Sequence, residues 1–188
     1  MTGFEESYQS TPPWDIGRPQ PALAELEFGG RVLDVGCGTG EHALLAASRG
    51  LEAVGVDAAP TAIRLATSKA AERGLSVRFV VGDALDLDSL GEMFDTVIDS
   101  GLFHVFSDED RVRYVASLSA VVRPGGRLFI LCFSENQPGD FGPRRVTQDE
   151  IRSAFADGWR VDAIDAVRMP ITIYPEGIFA WRASLTRI

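Results

Sequence analysis

The chain is poor in the features that mark several functional classes. Its 188 residues hold 18 basic against 27 acidic side chains, a formal net charge of −9. No basic run exceeds Arg144-Arg145. Nucleic acid is therefore not an expected partner, because phosphate neutralisation needs clustered Lys and Arg. The same deficit disfavours an anionic membrane surface. No apolar run approaches the roughly 20 residues needed to span a bilayer, and the opening residues do not read as a signal peptide. Cysteine is scarce. Cys37 stands in a glycine-rich turn and Cys132 inside an apolar run, spacings that suggest neither a metal site nor a disulfide framework. A cytoplasmic setting is expected. No internal repeat or low-complexity tract stands out. What is present is a globular composition, 45% hydrophobic, in a length that suits one domain, residues 1–188, with one sizeable core.

After an irregular N-terminus, strand-like and helix-like segments alternate, which predicts a parallel sheet covered on both faces. A short helix is expected over 21–27, entered through proline and ended by Gly29-Gly30. Strands are expected over 31–35, 52–56, 76–81, 94–99 and 127–133. Helices are expected over 41–49, 60–73 and 108–122. Thr147 and Glu150 fit a capping box for a helix over 147–156. The last strands read as 159–168 and 178–186.

The richest stretch is Asp34-Val35-Gly36-Cys37-Gly38-Thr39-Gly40. It reads as the end of a buried strand, a glycine-packed turn and the start of a helix. Glycines at 36, 38 and 40 let the backbone bend sharply and lie against a ligand. Such a turn serves a nucleotide-like cofactor at the carboxyl end of a parallel strand. The dinucleotide spacing G-x-G-x-x-G would need a glycine at position 41, which is Glu41. A glutamate there would crowd a pyrophosphate at the helix N-terminus. The phosphate-binding loop ending in Gly-Lys-Ser/Thr is also missing. The turn suits an adenosine-bearing cofactor without a phosphate chain. Asp57 ends the second strand about 20 residues further on, where a ribose-binding carboxylate is expected; a helix cap before Pro60 is the plainer alternative. Asp34 is placed either to complement a positive charge on the cofactor or to brace the loop.

D-V-G-C-G-T-G resembles motif I of the class I S-adenosylmethionine-dependent methyltransferases, and further stations follow in order. Phe94 to His104 resembles the segment at the exit of strand four, and Val122-Arg123-Pro124-Gly125-Gly126 the turn before strand five. Thr11 to Pro19 contains P-W-D-I-G, similar to the N-terminal flap of small-molecule members that act on thiols, halides, thiopurines and heterocyclic toxins. The resemblance implies a Rossmann-like, doubly wound, three-layer α/β fold. Its seven-stranded, mostly parallel sheet would have the order 3-2-1-4-5-7-6, with strand seven antiparallel. It implies S-adenosylmethionine as cofactor and S-adenosylhomocysteine as product. The cofactor contacts would come from Trp14, Asp34, Gly36, Cys37, Gly38, Gly40, Asp57, Ala58, Asp83, Ala84, Ser100 and Gly101. Asp83 would meet the adenine amino group and Ala84 a ring nitrogen. Residues 1–20 are expected to form a flap over the cofactor, with Trp14 near the sulfonium.

Displacement at a sulfonium needs alignment and exclusion of water more than it needs a base. If a base exists, His104 is the candidate, with a reference pKa of ~6.5; a histidine that only packs at the strand exit is the alternative. His42 is expected to be structural. The polar loop 134–146, carrying Phe141, suits a lid over the acceptor. Tyr8, Phe141 and Tyr174 are the acceptor-binding candidates. Arg144 and Arg145 read first as solvated surface charge. No metal is expected. The expected acceptor is a small aromatic or heterocyclic molecule methylated on O, N or S, by a monomer or homodimer. Thiol or halide transfer is the alternative, and a non-catalytic cofactor-binding regulator a second. An NAD-dependent oxidoreductase conflicts with Glu41.

Overall fold

The computed structural model describes residues 3–188. Seven strands form one sheet: β1 (Val32–Val35), β2 (Ala53–Asp57), β3 (Arg78–Val81), β4 (Phe94–Ser100), β5 (Val122–Phe133), β6 (Trp159–Ile171) and β7 (Tyr174–Arg187). Their order is β3-β2-β1-β4-β5-β7-β6. The pairs β1/β2, β1/β4, β2/β3 and β4/β5 are parallel, and β7 runs antiparallel to both β5 and β6. The expected topology is therefore the one found. The helices are α1 (Gly3–Ser7), α2 (Pro21–Ala24), α3 (Glu41–Ser48), α4 (Pro60–Glu72), α5 (Asp108–Val121) and α6 (Gln148–Ala154).

Side-chain alternation along the central strands explains the two buried layers. In β5, Leu128, Ile130 and Cys132 face the layer that holds Tyr114 and Leu118 of α5 and Ile151 of α6. Phe129, Leu131 and Phe133 face the opposite layer, with Leu23 of α2 and Ala43 and Ala46 of α3. Strands buried on both faces read as near-continuous apolar runs, as expected for parallel sheets. Local chemistry sets the helix starts. Ser107 caps α5 by accepting from the Asp110 amide at 3.1 Å. At α6 the capping box is complete: Thr147 accepts from the Glu150 amide at 3.0 Å, and Glu150 accepts from the Thr147 amide at 2.7 Å.

Three local differences stand out. Strand β5 begins at Val122, because Val122 pairs with Phe94; the Pro124-Gly125-Gly126 turn then becomes a register shift inside the strand. Residues Ala84–Leu90 form two 3₁₀ turns joined at a kink at Asp86; Asp83 caps the first, and the Leu87 amide donates to Ser117 of α5. The last hairpin turns at Thr172-Ile173, so Tyr174 opens β7 and pairs with Ile171.

Candidate functional site

A cavity of about 530 Å³ opens above the carboxyl ends of β1, β2 and β4, where the strand order reverses and ligands bind in such sheets. Gly36, Asp57, Ala58, Ala84, Ser100 and Gly101 line it from the strand ends and the loops after them. His104, Phe133, Phe141, Met169 and Ile171 also line it. No lysine or arginine lines it. A second hollow of about 50 Å³ lies at the glycine turn, between Gly36, Cys37 and Gly38 on one side and Trp14, Asp15 and Arg18 on the other.

The turn has room only for glycine at Gly36, Gly38 and Gly40, the last with φ of +84° and a would-be Cβ 2.6 Å from the Phe79 ring. Gly36 and Gly38 have φ of +64° and +52°. A Cβ at Gly38 would stand 2.8 Å from the Tyr8 hydroxyl, and one at Gly36 would stand 3.0 Å from Leu102. The turn is tied to the next strand by Asp57, whose Oδ2 accepts from the Gly38 amide at 2.8 Å and whose Oδ1 accepts from the Ala59 amide at 2.8 Å. Burial raises the Asp57 pKa against the pull of these donors, and the nearby Glu5 adds to the rise.

The other expected cofactor residues divide. Trp14 and Tyr8 meet over the turn, with the indole Nε1 donating to the Tyr8 hydroxyl at 3.3 Å. Ala58, Ala84, Ser100 and Gly101 reach the cavity. Asp34 does not. It is buried beneath the turn and accepts from the Ala43 amide at 3.0 Å, while its Oδ1 has no partner. Burial pushes its pKa up to about 7. The bracing alternative describes this placement. Gly40 faces Phe79. Asp83 is exposed and accepts from the Leu85 amide at 2.9 Å, with Ala84 beside it in the cavity wall. Glu41 binds Lys69 and Arg73 at 2.8 Å each, so its charge is spent on α4.

The acceptor candidates also divide. Phe141 lines the cavity, and Tyr174 stands outside it, edge-on to Phe141 at 6.2 Å between ring centres. The hairpin turn at Thr172-Ile173 sends Tyr174 to the rim. Arg145 is no loose surface charge: it donates to the carbonyls of Gln137 at 3.2 Å, Pro143 at 2.7 Å and Gly139 at 2.9 Å, folding the loop around itself. Arg144 pairs with Asp108 and Glu150. His104 lies in the cavity wall, edge-on to Phe133. Its Nδ1 accepts from the Phe133 amide at 3.0 Å. That bond takes the lone pair a general base would use, and the alternative of a histidine that packs at the strand exit describes this placement. Burial, with Arg111 and Arg145 nearby, lowers its pKa to about 3. His42 is buried, and its Nε2 accepts from the Gln20 amide at 3.1 Å.

Of the apolar residues beside Tyr174 that the sequence offers as a pocket wall, Ile171 lines the cavity; sequence reasoning missed Phe133 and Met169, because strand residues that wall a cavity alternate like any core residue. It also missed Arg18. This side chain borders the small hollow and has no ion pair among the described residues; the signal was its place one residue after P-W-D-I-G.

A family model described as a methyltransferase domain matches residues 32–126, about half of the chain. The 2-heptyl-1-hydroxyquinolin-4(1H)-one methyltransferase of Mycobacteroides abscessus is 41% identical over 88% of this chain and 80% of that protein. The chain belongs to the class I S-adenosylmethionine-dependent methyltransferases, in their small-molecule branch. The probable thiol methyltransferase 2 of Arabidopsis thaliana is 29% identical over 98% of this methyltransferase and 86% of the relative. A solved structure reported under "Conversion of a Disulfide Bond into a Thioacetal Group during Echinomycin Biosynthesis" is 38% identical, with a TM-score of 0.88 over 98% of this chain and 91% of its own.

The residues present fit the family's cofactor. The glycine cradle admits a ligand pressed against the backbone, a carboxylate closes the β2 end, and among the described residues no lysine or arginine lines the larger cavity. Among the described residues, no helix is long and apolar enough to cross a membrane.

Proposed function

We propose that this methyltransferase moves a methyl group to an O, N or S atom of a small aromatic or heterocyclic acceptor. The observation that carries the reading is the 530 Å³ cavity: residues of the expected cofactor site, such as Gly36, Asp57 and Ala84, and the aromatic residues Phe133 and Phe141 line one space. A cavity of this size, mostly apolar with a few polar groups, is the usual form of a small-molecule site. Relatives named for a hydroxyquinolone and for a thiol support a small-molecule acceptor.

Bound S-adenosylmethionine supplies a methyl group already activated by a sulfonium charge. The residues of this chain hold and align. Asp57 accepts the ribose hydroxyls on its remaining lone pairs. Ala84 and Leu85 flank the adenine end. Arg18 faces the end that carries the carboxylate, and the Trp14 and Tyr8 rings close over the glycine turn. Trp14 then places an indole face near the sulfonium, an arrangement that favours a cation by roughly 1 kcal/mol or more when desolvated. Phe133, Met169 and Ile171 wall the acceptor, while Phe141 and the 134–146 loop cover it and exclude water. Tyr174 supports Phe141 from the rim.

Isothermal calorimetry with S-adenosylmethionine, S-adenosylhomocysteine and NAD tests the cofactor assignment. Binding of the first two without the third is expected; tight NAD binding alone overturns it. Mass spectrometry of a panel of thiols, halides and hydroxyquinolines then identifies the acceptor atom.

A further inference from the structure

His104 is held in a way that fixes what it can do. A backbone N–H only donates, so the 3.0 Å bond from the Phe133 amide puts a lone pair on Nδ1. The single proton of the neutral ring is then on Nε2. Among the described residues no protein atom takes that proton. The Nε2 edge lies at the exit of β4, 3.7 Å from where a Cβ on Gly101 would stand. Two cations lie near enough to oppose a further proton on the ring: Arg111 of α5, over Phe103, and Arg145 of the 134–146 loop, over Phe133, the ring that His104 meets edge-on. Arg111 is buried over Phe103, pairs with Glu150 at 3.3 Å, and has its Nε and Nη2 without partners. Arg145 spends its donors on three carbonyls and faces no carboxylate. Such a ring resists taking up a proton, and the field around it favours negative charge.

Among the described residues that line the cavity, no other side chain is placed as a base. Tyr8 is held protonated by burial and its oxygen already accepts from Trp14. Asp57 is committed at the β2 end, and Asp110, at the cavity mouth, pairs with Arg113 at 2.9 Å.

We propose that the acceptor is methylated as an anion formed before binding, and that His104 donates a hydrogen bond from Nε2 to the attacking atom. The proposal rests on the methyl-transfer reading above. The proton leaves the acceptor to solvent beforehand. The anion's lone pair forms the bond to the methyl carbon, the carbon–sulfur bond breaks with its electrons passing to sulfur, and no proton moves during transfer. The substrate class follows. It comprises aromatic N-hydroxyls, acidic phenols and heteroaryl thiols, whose X–H bond ionises near neutrality. Aliphatic alcohols fall outside it.

The test has two arms on the full chain. The first is NMR of protein labelled with ¹⁵N-histidine, with and without S-adenosylhomocysteine, from pH 5 to 9. The expected result is a His104 ring that stays neutral and Nε2-protonated throughout. A ring protonated on Nδ1, or one that titrates near neutrality, overturns the proposal. The second arm is the pH–rate profile on 4-nitrophenol, phenol and thiophenol for the native protein, His104→Gln and His104→Ala. Glutamine donates from about the same place and is no base. Expected is a break that moves with each acceptor's own acidity, a loss of about 10- to 100-fold in His104→Ala, the usual worth of a bond to a charged group, and most of that recovered in His104→Gln. One fixed break for every acceptor, with both variants equally slow, overturns it. Failure of every acceptor to react while the cofactor binds counts against the methyl-transfer reading, and the NMR arm still decides the role of His104.

Discussion

Asp57 performs two tasks with one carboxylate, and this sets what its removal does. It ties the Gly38 and Ala59 amides to the end of β2, each at 2.8 Å, and it presents its remaining lone pairs to the cavity. The plain expectation for a strand-end residue is that Asp57→Ala leaves the fold alone. The two backbone bonds change that. Asp57→Ala is expected to weaken S-adenosylmethionine binding by roughly 1.5–3 kcal/mol and to lower the melting temperature, because two amides lose their acceptor. Calorimetry and thermal denaturation check both. An unchanged dissociation constant removes Asp57 from the ribose role. The position of Asp57 was readable from its distance along the chain to the glycine turn; its grip on the turn was not, since a hydrogen bond between two loops is a product of the folded sheet.

At the scale of elements, the N-terminal segment is anchored unevenly. Pro13 accepts from the Thr172 amide at 2.9 Å, Asp15 accepts from Thr39 at 2.8 Å, and Gln20 donates to the carbonyl of Pro170 at 2.9 Å. Residues 13–20 are therefore stitched to the body. The part before them is held mainly through side chains: Glu5 on Thr61 at the start of α4, the Tyr8 ring against Ala59 and Ala62, and the Phe4 and Tyr8 rings edge-on to Trp14. Residues 1 and 2 of the expected flap lie outside the described residues. Hydrogen exchange is expected to show ligand-dependent protection over residues 3–12 and little change over 13–20. Equal protection of 3–12 with and without S-adenosylhomocysteine would make the segment plain structure. Helix ends were legible where a side chain makes the cap, as at Thr147 and Glu150. The 3₁₀ turns over 84–90 were not, because their apolar residues Leu85, Leu87 and Leu90 are fixed by packing on α5 more than by a helical repeat.

At the scale of the whole molecule, buried ionisable groups set opposing pH trends. Burial pushes Asp34 up to about 7 and Asp99 up to about 6. Each favours the fold when protonated, so its contribution is full below an unfolded-state pKa of about 4 and is lost as the pH rises through the folded-state value. Burial pushes His42 down to about 4 and His104 down to about 3. Each favours the fold when neutral, so its contribution is full above about 6.5 and is lost as the pH falls towards the folded-state value. The two trends offset one another between about pH 4 and 6.5. Asp34→Asn separates them. The stability of the variant relative to the native protein is expected to increase as the pH rises from about 4 to about 7, and to level off above that. Thermal denaturation at several pH values checks this; a gap independent of pH would show that Asp34 ionises normally in the fold.

The sequence by itself determined the fold class, the glycine cradle and the cofactor class. These follow from local chemistry: apolar runs that suit a doubly covered parallel sheet, a turn where only glycine fits, a carboxylate at the next strand end, and Glu41 in place of a dinucleotide glycine. Only the tertiary structure decided what His104 can do, because the direction of its hydrogen bonds is imposed by the Phe133 amide on a neighbouring strand, 29 residues away. The same holds for Tyr174, sent to the rim by a hairpin turn, and for Arg145, whose charge is set inside its own loop by three carbonyls. A side chain's identity states which bonds it is able to make; its partners exist only once distant strands and loops are brought together.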